Sequence, residues 1–344
     1  MSKCIAIVEH KFHEELLLPQ INLLLRDNYQ VHLITNAQIA ASESLDSIRD
    51  KISIKTFENT SKFVTKLKMF IEIPRYLKKH LISKLVINTL DSRFCHLLLN
   101  RVDGVETFGF IHNADKFLSH QKFHAILKKI NRPMVLGVYI AEYLRANHIH
   151  VTPVYLTEFG VTESDAVEKT CDPIQIVIPG QLDRRRRAYD DLIDVCSSDM
   201  NMRFILLGNA NKGDGPELIK KIRDRKLDRQ FEWFDQYVPH EQFIKIIRSA
   251  DYIMPLVHSN CLIYSRYQEC KATAAFMWAI ASRKMMIMEE GFKKIDEFSV
   301  LSKYYNVKTL AEFLVSIAHP EGRVNLDGQH ETIRNNYIAT INGK

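Results

Sequence analysis

Between residues 174 and 288 the side chains able to do chemistry fall at fixed places relative to apolar runs. The run 174–178 ends in Pro179-Gly180, the basic cluster Arg184, Arg185, Arg186 and Arg187 follows, and a helical pattern then begins. A guanidinium offers a planar fork of donors that suits phosphate oxygens, and a helix N-terminus adds partial positive charge beside it. That arrangement predicts an anionic ligand, a nucleotide or another phosphorylated molecule. The plainer reading of four successive arginines is a solvated surface run. Gly208-Asn209 ends the next apolar run, and Lys271 with Thr273 opens a helix after the irregular stretch 258–266, where hydroxyl and backbone N–H groups suit a distal phosphate. Glycines at strand ends also serve plain turn geometry. In the first half, His112-Asn113 follows an apolar run and faces the ligand side of a sheet; a lone histidine there also serves structure. Glu9, His10, His13 and Glu14 follow the first strand and are placed to approach a second substrate. They lack the further ligands of a metal site, so no metal is expected.

The elements that must position these groups alternate. Short apolar runs at 4–8, 31–35, 85–88, 107–111 and 133–138 read as strands, with Leu16, Leu17, Leu18, Ile21, Leu24 and Leu25 at helical spacing after the first. The second half repeats the pattern, with strands at 174–178, 204–207, 231–234, 252–257 and 285–288 and helices at 190–196, 217–225, 240–249 and 272–282. The fold class is therefore α/β, with parallel sheets whose ligands sit at the carboxyl ends of the strands. The expected domains are 1–160 and 174–328, joined by a polar linker at 162–173, with a last helix in 329–344 returning to the first domain. A GxGxxG fingerprint is absent, so nothing points to NAD.

At 344 residues the chain is too long for one ordinary core. Its formal charge of +6 is modest and its aromatics are not interleaved with the basic residues, which argues against nucleic acid. Six cysteines without a CxxC pair suggest thiols in a reducing cytosol. No signal-peptide core and no run approaching the roughly 20 apolar residues of a membrane span is expected. The segment 51–84 carries another message. Lys62, Lys66, Lys68, Arg75, Lys78, Lys79 and Lys84 alternate with Phe63, Leu67, Phe70, Ile71, Tyr76, Leu77 and Leu81, and between 62 and 84 the one acidic residue is Glu72. Such a surface is either the solvated face of an ordinary helix or one that lies on an anionic leaflet, which would fit a lipid-linked acceptor.

The segments 178–193, 204–209, 237–243 and 250–255 together resemble the C-terminal half of GT-B glycosyltransferases of the family 4 kind. The resemblance implies two Rossmann-like domains facing a cleft, and transfer of a sugar from a UDP- or GDP-linked donor to a glycan or lipid-linked acceptor in envelope polysaccharide synthesis. Retention at the anomeric carbon and no cofactor or metal are also implied. The donor would meet Gly180, Arg186, Arg187, Gly208, Asn209, Val238, Tyr264, Lys271 and Thr273. His112, Arg187 and Lys271 would act in catalysis, with Glu9, His13 and Asn113 on the acceptor side. One departure is plain: Cys270 and Trp278 stand where the family carries a pair of glutamates. Two other readings remain open, a non-catalytic glycosyltransferase-like binding subunit and a sugar-nucleotide epimerase on the same fold.

Overall fold

The computed structural model describes residues 3–10, 13–58, 62–90, 93–160, 173–320 and 322–344. All but the last residue of the segment read as a linker lies outside the described residues, and so do the side chains of Lys62, Phe63 and Lys66. The chain forms two compact units. The first contains residues up to Gly160 together with Cys270–Ala272 and Glu331–Lys344; the second contains Val161–Glu269 and Thr273–His330.

The first unit is built on a seven-stranded sheet of β1 (Lys3–Glu9), β2 (Tyr29–Asn36), β3 (Ser53–Phe57), β4 (Lys84–Ile87), β5 (Glu106–Phe110), β6 (Arg132–Val135) and β7 (Thr152–Pro153). All its pairings are parallel, in the order β3-β2-β1-β4-β5-β6-β7. Ile5, Ala6, Ile7 and Val8 are all buried, as a strand with neighbours on both edges and cover on both faces requires. Leu17, Leu18, Ile21 and Leu24 of the helix Leu17–Arg26 complete that side of the core. The C-terminal helix Gly328–Ile341 buries Ile333, Tyr337 and Ile341, four residues apart and so on one face. Tyr337 joins the first unit's core, and its hydroxyl donates to Gln20 Oε1 at 3.2 Å.

The second unit repeats the construction with six strands: β8 (Ile174–Pro179), β9 (Met202–Asn209), β10 (Phe231–Phe234), β11 (Tyr252–Ile253), β12 (Met285–Glu289) and β13 (Ser302–Tyr305). They are again parallel, in the order β10-β9-β8-β11-β12-β13. β11 is shorter than its apolar run suggests. The Met254 N–H still reaches Val177 O at 2.8 Å, but Pro255 has no N–H to give and Leu256 takes a left-handed φ of 53°, so the chain leaves the ladder.

In each sheet the strand order reverses once, between β1 and β4 and between β8 and β11. Loops leaving such neighbours diverge to opposite faces, and the crevice outside their carboxyl ends is where open α/β sheets bind ligands. Glu9 and Asn88 stand at the first reversal, Gly180 and Pro255 at the second.

Segment 51–84 divides into the edge strand β3, whose Lys55 pairs with Glu72 at 3.0 Å, and the helix Lys62–Lys79. Met69, Ile73 and Leu77 form the helix's buried stripe, while Leu67, Ile71, Arg75 and Lys78 lie on an exposed one. The helix ends with Ile82 N–H bonded to Leu77 O at 2.9 Å and Leu81 in the left-handed region.

Replacing Tyr337 by Ala deletes a fully buried ring from the first core, and by analogy with Phe→Ala changes should cost about 3–5 kcal/mol. Urea unfolding of the two proteins measures it.

Candidate functional site

In the second unit, β8 and β9 end in backbone contact. A methyl group at Gly208 would strike the Gly180 carbonyl oxygen, and one at Gly180, whose φ is +114°, would strike the guanidinium of Arg187. Gly208 is therefore required by close backbone approach, and Gly180 by its positive φ. Arg187 is buried and spans the reversal point: Nη1 donates to Pro255 O at 3.2 Å and Nη2 to Pro179 O. Its Nε is buried with no hydrogen-bond partner.

The other three arginines do not form one patch. Arg184 is held by Asp190 at 2.7 Å and Glu217 at 2.6 Å, and Arg185 by Asp183 at 2.8 Å. Arg186, half-exposed, is 3.6 Å from the same Asp183. Hydrogen bonds from Arg185, with the charges of Arg185 and Arg186, hold the Asp183 carboxyl below the usual carboxylate range against its burial. Asn209 is half-buried, its side chain accepting from the Asn211 N–H at 2.9 Å, and Val238 is buried beside the exposed ring of Tyr237.

Two polar constellations lie beyond β11 and at the ends of β12 and β13; of their residues only Tyr264 is among those expected from the sequence. His258, fully buried, contacts Asp191 Oδ2 through Nδ1 at 2.7 Å and the Tyr305 hydroxyl through Nε2 at 2.6 Å. A carboxylate only accepts, so the neutral ring donates from Nδ1 and receives the phenol proton at Nε2. Tyr305 is kept protonated, its pKa raised well above the ordinary phenol value by burial and then by Glu289, Asp191 and neighbouring groups. The Tyr264 hydroxyl donates to Glu289 Oε2 at 2.6 Å, and the Gly291 N–H to the same oxygen at 3.0 Å. Burial and then Glu289 raise the Tyr264 pKa. Thr273 is buried at the start of the helix Ala274–Ser282, its carbonyl taking the Phe276 N–H at 3.1 Å. Trp278 in that helix packs against Phe243, ring centroids 5.0 Å apart, in a segment whose residues are nearly all buried. Its position is one of packing, where a charged carboxylate would meet no solvent.

In the first unit the reversal point carries a denser network. Glu9, fully buried, accepts at Oε2 from Asn88 Nδ2 at 2.8 Å and Thr89 Oγ1 at 2.6 Å. Asn88 Nδ2 also donates to His13 O at 3.0 Å, and Asn88 Oδ1 accepts from Gln20 at 2.6 Å. His112 Nε2 lies 2.6 Å from the Asn88 carbonyl oxygen; that oxygen cannot donate, so the proton sits on Nε2 and the neutral ring's lone pair on Nδ1. Burial first, then His13 and Lys271, lowers the His112 pKa well below its ordinary value. Residues 270–272 belong to this unit: Cys270 O accepts the Ala114 N–H at 3.2 Å and Lys271 O the Tyr139 hydroxyl at 2.7 Å. Asn113 directly precedes the helix Ala114–Ser119. The expected residues thus fall into two sets, Glu9, His13, His112, Asn113 and Lys271 in the first unit and Gly180, Arg186, Arg187, Gly208, Asn209, Val238, Tyr264 and Thr273 in the second. Among the described residues no group of three or more His, Cys, Asp or Glu is arranged to hold a metal ion. No described helix is long and apolar enough to cross a membrane.

No family model and no curated protein matches the chain. Solved structures do. A glycosyltransferase from Rickettsia africae ESF-5 superposes with a TM-score of 0.61 at 12% identity, covering 99% of this chain and 94% of its own. The UDP-GlcNAc 2-epimerase of Methanocaldococcus jannaschii gives 0.61 at 12% identity, covering 98% and 99%. Anabaena HepE, solved in complex with UDP and glucose, gives 0.61 at 11% identity, covering 99% and 95%. The chain has the GT-B fold, two parallel-sheet α/β domains of the kind shared by these transferases and epimerases.

The pKa of His32 is likewise lowered, by burial and then by His80. Below about pH 6.5 the unfolded chain binds protons that the folded chain refuses at His112 and His32, so stability falls on acidification through that window. Denaturant midpoints measured from pH 8 to 5 should fall for the wild type and fall less for His112→Gln.

Proposed function

We propose that this protein transfers a sugar from a nucleoside-diphosphate donor to a hydroxyl of a glycan or lipid-linked acceptor. The observation that carries the reading is Arg187: a buried guanidinium fixed across the strand reversal of the second unit, with two glycines clearing the backbone around it. Fixed positive charge there acts where charge develops, on the departing diphosphate. The bond between the anomeric carbon and the phosphate oxygen breaks, its electron pair staying with the diphosphate, and the acceptor oxygen bonds to the anomeric carbon. The acceptor proton goes to His112 Nδ1 or to the leaving phosphate. Gly180, Arg186, Gly208, Asn209, Val238, Tyr264 and Thr273 are assigned to the donor, Glu9, His13 and Asn113 to the acceptor, and Lys271 to charge stabilisation beside His112. A UDP- or GDP-linked donor, retention, absence of a metal and a role in envelope polysaccharide synthesis at the cytoplasmic face are parts of the same proposal.

A second reading has support from the fold, because UDP-GlcNAc 2-epimerases share it at equal similarity. An epimerase would convert the donor with no acceptor present. Calorimetric titration with UDP, GDP, CMP, ADP and dTDP separates binding from both readings. One of them should bind, and Arg187→Gln should weaken it by roughly 10- to 100-fold, the equivalent of a charged hydrogen bond worth about 1.5–3 kcal/mol. Heat from none of the five would remove the donor assignment.

Attachment to an anionic membrane surface through 62–84 is proposed with it. Leu67, Ile71, Arg75 and Lys78 share the outward stripe, Lys68 and Lys79 flank it, and Leu81 is 86% exposed at its end. Each cation near an anionic leaflet contributes about 1 kcal/mol. Co-sedimentation with phosphatidylserine vesicles should fall with salt and drop at least about tenfold in Lys78→Glu/Lys79→Glu; equal binding by the variant would count against this surface.

A further inference from the structure

The ring of His13, expected from the sequence on the acceptor side, also has a close neighbour within the first unit. It lies face to face with His112, the centroids 3.6 Å apart and the planes 15° from parallel. The backbone at His13 is in the left-handed region, at φ 64°, a conformation that side chains other than glycine adopt infrequently and that surrounding contacts must hold in place. Asn88 holds the His13 backbone and the His112 ring at once. Its side chain donates to the carbonyl oxygen of His13 at 3.0 Å, and its own carbonyl oxygen receives Nε2–H of His112 at 2.6 Å. Asn88 is itself fixed by Glu9 and by Gln20, and Gln20 by Tyr337. A single residue buried in the core therefore sets the register of the two imidazoles.

We propose that His13 is a positioning residue for His112, stacked on it so that the His112 ring stays neutral and oriented, with its lone pair on Nδ1 available to the acceptor hydroxyl. The inference rests on the reading of His112 as the proton acceptor in transfer. Two imidazoles at this separation cannot both carry a proton without direct repulsion. The charged and titratable groups around the pair favour the same outcome. Glu15 Oε1 stands 3.1 Å from Nδ1 of His13; Glu9 closes β1 before it, and Glu14 opens the short helical turn Glu14–Leu16 after it. Lys271 places its positive charge on the His112 side, which disfavours a second cation there. Burial and the positive charge nearby leave the His112 ring neutral, a base.

The test uses the full chain with 15N-labelled histidine. Long-range 1H–15N correlation spectra from pH 5 to 8 read the tautomer and the titration of each ring. The wild type should show His112 neutral with Nε2 protonated across the range. His13→Phe keeps a stacked ring without a proton site and should preserve the tautomer while moving the His112 titration upward by roughly one pH unit. His13→Ala should lose both the fixed tautomer and the low titration. In donor turnover the acid limb of the kcat/KM profile should move to higher pH in both variants, with the value at pH 8 changed less in Phe than in Ala. An unchanged His112 tautomer and titration in both variants would overturn the proposal; should Ala not fold, the Phe variant alone decides it. If the His112 titration shifts as expected but His112→Gln retains full transfer, His13 still positions His112 and the catalytic assignment of His112 is what fails.

Discussion

Parallel strands that part at a reversal of strand order leave their last carbonyl oxygens without ladder partners, and a buried carbonyl must find a donor. The rest of both sites follows from how this chain meets that requirement. In the second unit the donor is a guanidinium, bonded to the carbonyls of Pro179 and Pro255 on the two sides of the split. In the first it is an imidazole, bonded to the carbonyl of Asn88 just beyond β4. Each side chain is thereby fixed at the place where its sheet leaves a crevice, and each retains chemical capacity: positive charge on Arg187, a lone pair on His112. The bonds that satisfy the backbone are the ones that fix both side chains.

Elsewhere in the second unit, polar groups join in networks while the helix Ala274–Ser282 is packed with apolar side chains. Trp278 and Cys270 are packing residues, the former against Phe243 and the latter buried with its carbonyl on Ala114. The carboxylates of these networks are Asp191, in the first turn of the helix Tyr189–Val195 and paired with His258, and Glu289, the last residue of β12, paired with Tyr264. Buried polar groups in such networks are costly when half satisfied, and here the ring nitrogens of His258 and the hydroxyl of Tyr264 have partners at 2.6–2.7 Å. The network locks the loop that follows β11 to the strands beside it.

Much of this was legible in the sequence because central parallel strands are continuous apolar runs. The residues of β1, β2, β8 and β9 announced themselves in that way, and so did the glycines and arginines after them. The strands that went unread, β3, β7 and β13, are all at sheet edges. An edge strand is half solvated and tolerates Lys55, Pro153 or Lys303, which erase the apolar signal. β11 was read too long, because apolar residues after it fill the core without joining the ladder. At the site, the strand-end positions of His112 and Arg187 were visible, but their partners were not. Asn88, Gln20 and Tyr337 meet across more than three hundred residues of chain, and a stack such as His13 on His112 has no sequence period to betray it.

The account depends on departure of a nucleoside diphosphate from a sugar donor bound at Arg187. Proton and phosphorus NMR of the chain incubated with UDP- and GDP-sugars, with and without a mixture of lipid-linked and free glycan acceptors, follows the anomeric carbon and the phosphate in one sample. The account predicts acceptor-dependent release of one nucleoside diphosphate and a new glycosidic anomeric signal, both lost in Arg187→Gln. A sugar nucleotide inverted at a ring carbon in the absence of acceptor, or no change in any donor, would contradict it.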